Sequence, residues 1–407
     1  MVAARALPNF INGQWQVPAG DDLLPVVNPA TGEPIAAAPL SSGLAVDAAA
    51  RGAEAAFAAW SRTPAVERVQ YLFRLKALLE EHIEELARTI VNECGKTRQE
   101  ALGEVRRGIE NVEVACGIPS LLQGYNNEDI ASGVDEHLFR QPLGVVAAVT
   151  PFNFPAMIPL WFLPCAIACG NCFVLKPSPQ TPLTSVRLVE LLEQTGLAGG
   201  VVQLVHGGKE TVEAMLDHPL IQAVSFVGST ATARAVYRRA TAAGKRAQCQ
   251  GGAKNPVIIL PDADMEMTTE IVADSAFGCA GQRCLAASLA ITVGEARRPF
   301  TEAICAAAAG RRVGYGLDDG MQMGPVISRE SQSRIEGLIA TGIGEGGVPR
   351  VEGRRRKVPG FEQGSFVFPT VLDNVAPLGE IARTEIFGPV LSLAAVESLE
   401  EAVRLVN

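Results

Sequence analysis

The chain has 407 residues, more than one hydrophobic core usually organises, so two or more domains are expected. Its 35 basic and 44 acidic residues leave a net charge of −9, which excludes nucleic acid as an expected partner. With 48% hydrophobic and 19% charged residues, it falls among folded α/β proteins and outside the disordered class.

No apolar run reaches the length of a membrane span, and the start "MVAARALPNFINGQW" lacks a signal-peptide core. Nine cysteines form an odd set without framework spacing, which predicts free thiols in a reducing compartment. A cytoplasmic protein without a membrane partner is the expectation.

In chain order, residues 65–118 read as helix. Leu72, Leu75, Leu79, Ile83, Leu86 and Ile90 recur at helical spacing in one apolar stripe, opposite a charged face. Residues 124–142 are polar and non-periodic, suited to an exposed arm or hairpin. From 144 onward five short β-runs, "GVVAAVT", "CFVLKP", "VVQLV", "AVSFVGS" and "RAQCQ", alternate with helices starting near 156, 182, 209 and 230. That alternation predicts a parallel sheet covered on both faces, a doubly wound nucleotide-binding architecture. A second α/β run starts with "PVIIL" near 256 and includes "SLAITVGE" and "SFVFPTVLD". The expected domains are therefore 1–123 with 143–250, an arm at 124–142, and 251–407. "GIGEGG" at 342–347 matches a dinucleotide fingerprint but follows a helix, so it reads as a helix-ending loop. The basic run "GRRRKVPG" at 353–360 reads as a solvated loop.

Chemistry concentrates in a few motifs. In "FGCAGQRCLA", Cys284 follows Gly281, Gln282 and Arg283. A neighbouring guanidinium or helix N-terminal amides favour a nucleophilic thiolate, whereas a lone cysteine otherwise reads as a small buried hydrophobe. Asn153 in "PFNFP" ends a predicted strand, where an amide can face a ligand or close a turn. It could stabilise an oxyanion together with the Cys284 N–H. Lys176 in "LKPSP" ends the next strand and suits a phosphate or ribose. Gly228 and Ser229 in "FVGST" open a helix, where a pyrophosphate can meet N-terminal amides. Cys165, Cys169 and Cys172 lack zinc-site spacing, so no metal is expected.

Taken in order, "NPATGEPI", "PFNFP", "LKPS", "FVGS", "GGAKNP", "GQRC", "GPVIS" and "EIFGPV" resemble the aldehyde dehydrogenase superfamily over essentially the whole chain. "PNFINGQW", "PFNFPAMIPLW", "AIACGN", "GGAKN" and "GQRC" are most similar to its methylmalonate-semialdehyde dehydrogenase branch, whose members acylate coenzyme A. The resemblance implies an aldehyde dehydrogenase-like α/β fold, with two doubly wound domains (dinucleotide-binding and catalytic) and a small oligomerisation arm. It implies Cys284 as the thiolate that forms a thiohemiacetal and then a thioester, with Asn153 and the Cys284 amide as the oxyanion hole. Phe152, Lys176, Gly228 and Ser229 would line the cofactor site, and Glu385 with Phe387 would meet the nicotinamide ribose and ring. Cys279 matches no role and reads as packing.

Three features qualify that picture. Where hydrolytic members carry a glutamate base, this chain has Gln250, and an amide cannot take a proton near neutral pH. Arg283 and Arg107 match the pair that holds a substrate carboxylate in the branch. Pro179 replaces the glutamate that commonly binds the adenosine ribose, so NAD is expected with NADP open. The expected activity is oxidation of malonate or methylmalonate semialdehyde with transfer to coenzyme A, in a homo-oligomer (dimer or tetramer). The alternatives are a hydrolytic NAD(P)-dependent semialdehyde dehydrogenase and a catalytically silent dinucleotide-binding protein. The resemblance also implies that the catalytic domain stops short at "EEAVRLVN", leaving a sheet edge exposed.

Overall fold

The computed structural model describes residues 5–18, 20 and 22–407. The chain divides into two compact units. The first comprises residues 1–27, 34–93 and 102–251, and the second residues 28–33, 94–101 and 252–407.

The first unit opens with strands β1 (Asn9–Ile11), β2 (Gln14–Gln16), β3 (Leu23–Val27) and β4 (Pro34–Pro39) and helix α1 (Gly43–Trp60). The helical stretch read from sequence is three long helices, α2 (Ala65–Glu81), α3 (Ile83–Cys94) and α4 (Arg98–Cys116), followed by the short α5 (Ile118–Leu121). The first break falls at His82, which leaves helical geometry at φ −100°, ψ 16° and stops the apolar stripe short of full burial at Ile83. The second falls at Gly95, whose φ of +86° an L side chain rarely adopts. Leu72, Leu75, Leu79, Leu86 and Ile90 are buried as their spacing requires.

Residues 124–142 contain an antiparallel hairpin, β5 (Tyr125–Ala131) with β6 (Val134–Leu138), every residue of which is exposed. The five β-runs are strands β7 (Val145–Val149), β8 (Cys172–Lys176), β9 (Val202–Leu204), β10 (Ile221–Val227) and β11 (Arg246–Gln250). Between them lie α6 (Met157–Ala168), α7 (Leu183–Gln194), α8 (Lys209–Asp217) and α9 (Thr230–Ala242). The sheet order is β11-β10-β7-β8-β9-β1-β2, parallel from β11 to β9, with β1 and β2 added antiparallel. β8 is buried along its whole length, as a central strand covered on both faces must be.

The second unit is built on the sheet β12-β13-β16-β15-β14. Its strands are β12 (Asn255–Ile259), β13 (Ala287–Val293), β14 (Val348–Val351), β15 (Thr370–Asp373) and β16 (Val390–Val396), with helices α10 (Met265–Phe277), α11 (Arg297–Gly310), α12 (Arg329–Gly344), α13 (Glu380–Arg383) and α14 (Leu399–Val406). Two details differ from the expectation. "SFVFPTVLD" is strand only from Thr370, because Pro369 interrupts a ladder at that point. Sequence reading missed β16, a strand between β13 and β15 that starts directly after Pro389. Gly342 and Gly344 lie in the last turns of α12, and Gly347 N–H donates to the Gly342 carbonyl at 2.9 Å, so "GIGEGG" ends a helix.

Candidate active site

In the first unit the chain runs outward from β7 through β8 to β9, then returns to the other side of β7 for β10 and β11. The carboxyl ends of β7 and β10 therefore flank a topological switch point, where parallel sheets open a crevice. Asn153 follows β7, and Gly228 and Ser229 follow β10.

The loop after β7 is tied at both ends. Thr150 N–H donates to the Lys176 carbonyl at 3.1 Å. At the other end Ala156 and Met157 donate their N–H groups to Glu104 Oε1 at 2.8 and 3.1 Å, so a buried carboxylate satisfies the first donors of α6. Asn153 lies between these ties and is buried at 2% exposure. Phe152 is half-buried, and its carbonyl accepts from Thr181 Oγ1 at 3.3 Å.

Lys176 is buried, donates Nζ–H to the Gly207 carbonyl at 2.9 Å, and is brought down to about 8 by burial. Next to that acceptor, burial pushes His206 down to about 4. Its Nε2 lies 3.1 Å from the Pro8 carbonyl, which calls for the Nε2–H tautomer, and its Nδ1 has no hydrogen-bond partner among the described residues. Sequence reading missed His206, because "VHGG" shows neither charge nor periodicity. Ser229 caps α9 by accepting from the Thr232 N–H. Gly228 leaves bare backbone before that helix: a Cβ there would come within 2.6 Å of the Phe226 ring. Bare backbone at a capped helix N-terminus fits a pyrophosphate.

Gln250 ends β11; its carbonyl accepts the Gly228 N–H at 3.1 Å, and its buried Oε1 has no hydrogen-bond partner among the described residues. On α4, Arg106 pairs with Glu80 at 3.2 Å, while Arg107 is exposed.

In the second unit Cys284 lies on a half-buried turn before β13. Asn255 Nδ2 donates to the carbonyls of Cys284 (2.8 Å) and Ala286 (3.0 Å) and so fixes that turn from the side. Sequence reading overlooked Asn255, which ends the quoted "GGAKN" motif. Upstream, Cys279 and Ala280 adopt left-handed backbone (φ 51° and 52°), as does Gly281 (φ +70°). Only glycine fits at 281, since a Cβ would stand 2.0 Å from the Gly388 carbonyl oxygen. Cys279 does more than pack: its Sγ accepts from Arg283 Nε at 3.4 Å, and its N–H donates to Glu100 Oε1 at 2.6 Å.

A narrow cleft of the second unit is lined by Arg283, Gly281, Glu385 and Phe387, which brings three of the sequence-derived site residues together. Glu385 is raised by burial against the N–H it accepts from Ala253 and the charges of Arg334 and Lys254. Lys254 is brought down to about 8 by burial, opposed by Glu385, and its Nζ has no hydrogen-bond partner among the described residues. Phe387 is held left-handed at φ 52°. Among the described residues no group of three or more His, Cys, Asp or Glu side chains could hold a metal ion, and no helix is long and apolar enough to cross a membrane.

Comparison with known proteins extends these observations to the whole chain. Malonate-semialdehyde dehydrogenase 2 of Geobacillus thermodenitrificans is 46% identical over 407 residues, covering all of this chain and 84% of its own length. A solved Sinorhizobium meliloti protein, provisionally named a methylmalonate-semialdehyde dehydrogenase and complexed with NAD, matches with a TM-score of 0.97 at 41% identity, over 100% of this chain and 83% of that one. The methylmalonate-semialdehyde dehydrogenase of Oceanimonas doudoroffii matches with a TM-score of 0.96 at 44% identity, over 98% and 82% of the two chains. The profile of the aldehyde dehydrogenase family matches residues 15–407, and the chain belongs to that family.

Proposed function

We propose that the protein oxidises malonate or methylmalonate semialdehyde with NAD and passes the acyl group from Cys284 to coenzyme A. The substrate class rests on the names of the relatives and on Arg283 and Arg107, whose planar forks suit a carboxylate.

The Cys284 thiolate adds to the aldehyde carbon, and the carbonyl π electrons move to oxygen. Asn153 Nδ2 and the Cys284 N–H donate to that oxyanion. NAD, when bound, supplies the hydride acceptor that converts the thiohemiacetal to a thioester. Ser229 and Gly228 would present the α9 N-terminus to its pyrophosphate, with Phe152 and Lys176 beside it, and Glu385 with Phe387 would meet its nicotinamide end. Coenzyme A thiolate then attacks the thioester carbon, the C–S bond to Cys284 breaks, and the enzyme thiolate is restored with no proton taken from water.

Gln250 carries the choice of coenzyme A over water. Its carboxamide stands at the carboxyl end of β11, where the resemblance would put a base, and it cannot deprotonate water at neutral pH. One observation favours a hydrolytic reading with NAD or NADP: Glu385, raised by burial, lines the same cleft as Arg283 and could serve as a base.

A time course of NADH formation from malonate semialdehyde, at enzyme concentrations that resolve one turnover, separates these readings. Acyl transfer predicts a single-turnover burst that becomes sustained only with coenzyme A. Sustained turnover without it supports hydrolysis, and Glu385→Gln then tests the base. Absence of a burst leaves the silent dinucleotide-binding protein.

The exposed β5–β6 hairpin presents Tyr125, Ile130, Val134 and Leu138 to solvent, and we assign it as the arm through which copies of the chain associate as dimers or tetramers. Nine free cysteines suit the reducing cytoplasm, where we place the enzyme.

A further inference from the structure

We propose that Gly278, Cys279 and Glu100 form a seat that fixes the Arg283 guanidinium, and that these three residues thereby set the preference for aldehydes bearing a carboxylate. The inference rests on the reading of Arg283 as a carboxylate ligand and deepens it.

Arginine carries large rotamer freedom, and a guanidinium that must be ordered when substrate arrives loses much of its binding energy to that ordering. Arg283 is ordered in advance on three sides. Its Nε–H donates to Cys279 Sγ at 3.4 Å. Its Nη2 lies 3.9 Å from Glu100 Oε1. Its guanidinium packs against Gly278, where a Cβ would come within 2.1 Å of Nη2 and 2.7 Å of Cζ. Gly278 has an ordinary φ of −58°, so the glycine is required there by space and not by backbone conformation.

The seat holds the group without consuming it. Glu100 is already occupied by the backbone N–H groups of Cys279 (2.6 Å) and Thr97 (2.9 Å), which leaves only a loose pairing with Arg283. Burial pushes the Cys279 thiol up, so at neutral pH it is an uncharged, weak acceptor that orients the guanidinium without neutralising it. The side chain is still about one third exposed (34%) and its pairing with Glu100 is loose, which leaves guanidinium N–H groups for a substrate carboxylate. Two consecutive non-glycine residues in left-handed backbone, Cys279 and Ala280, are a local strain, and the Cys279–Glu100 hydrogen bond helps to hold it in place. That backbone turn is what carries Sγ to Arg283.

Steady-state kinetics on the full chain with malonate semialdehyde and with propanal test the seat. Gly278→Ala displaces the guanidinium without changing any charge, Cys279→Ala removes only Sγ, and Arg283→Gln removes the ligand itself. The two seat variants are expected to raise KM for malonate semialdehyde about tenfold with kcat little changed, and to leave both constants for propanal within about twofold. Glu100→Gln, which keeps an oxygen for the Cys279 N–H, is expected to give a smaller shift in the same direction.

If Arg283→Gln leaves the ratio of kcat/KM for the two aldehydes unchanged, the carboxylate reading falls and the seat with it. If Arg283→Gln shifts that ratio while Gly278→Ala and Cys279→Ala do not, the seat alone is overturned. Equal losses of kcat on both aldehydes would also overturn it, by showing that these residues only support the nucleophile turn. Should Gly278→Ala fail to fold, Cys279→Ala decides.

Discussion

The loop that follows β7 and the turn that precedes β13 carry the two groups assigned to oxyanion chemistry, Asn153 and Cys284, and they are held by different means. The first leaves a central parallel strand and runs into α6, with Glu104 closing the helix N-terminus. The second departs from regular structure, with three successive left-handed residues and a carboxamide, Asn255, tying its carbonyls. A loop of the first kind inherits its position from the sheet. A turn of the second kind depends on a few side chains, and its chemistry should be more easily lost without unfolding the protein.

The largest effect that tests this contrast comes from the nucleophile itself. Cys284→Ala should lower kcat by about a thousandfold or more, while NAD still binds in a titration of intrinsic fluorescence. Retained turnover would move the chemistry to another residue.

Next in size are the supports. Asn255→Ala leaves two carbonyls without their donor and should lower kcat by about tenfold or more, with only about 1–2 kcal/mol lost from stability. Glu104→Ala strips the buried first donors of α6 and should cost about 2–3 kcal/mol in denaturant unfolding, with a kcat loss that follows the drop in stability. The reverse ranking, with Glu104→Ala the more damaging to kcat and Asn255→Ala to stability, would break the comparison.

A smaller effect concerns a second helix start of the first unit. Glu93 accepts from the N–H groups of Leu183 and Thr184 and from the Thr184 hydroxyl, and burial pushes its carboxyl up from 4.5 to about 8. Between those values the folded chain keeps a proton that the unfolded chain has released. Its contribution to stability is therefore full below about pH 4.5 and is lost as pH rises toward about 8. Tm measured from about pH 5 to about 8 should fall for wild type relative to Glu93→Gln. A constant gap would mean that Glu93 is already ionised in the fold.

The smallest expected change separates two adjacent arginines. Arg106→Ala removes an exposed pair with Glu80 and should leave Tm and kinetics unchanged, whereas Arg107→Ala should raise KM for malonate semialdehyde severalfold. Identical behaviour of the two variants would remove Arg107 from the substrate site.

The same contrast governs what could be read before the structure. The strands β7 to β10 announce themselves as apolar runs between helical stretches, so the positions of Asn153, Lys176 and Ser229 at or just past strand ends followed from pattern. Periodicity carries no trace of the left-handed run at 279–281, of Asn255 reaching across to Cys284, or of Glu100 reaching Cys279 across 179 positions of sequence. Cys279 looked like packing because its role depends on a backbone conformation that only Gly281, of the residues around it, hints at. β16 was missed because a short apolar run after a proline has no alternation to mark it.

The close approach of Gly281 to the Gly388 carbonyl also bears on how this enzyme can be re-engineered. With no room for a Cβ between them, the segment around the nucleophile and the "EIFGP" segment interlock as backbone against backbone. They should therefore be exchanged between homologues only together, as one cassette. A chimaera that takes residues 278–286 from one parent and 385–389 from another inherits two halves of a joint that were never shaped to each other.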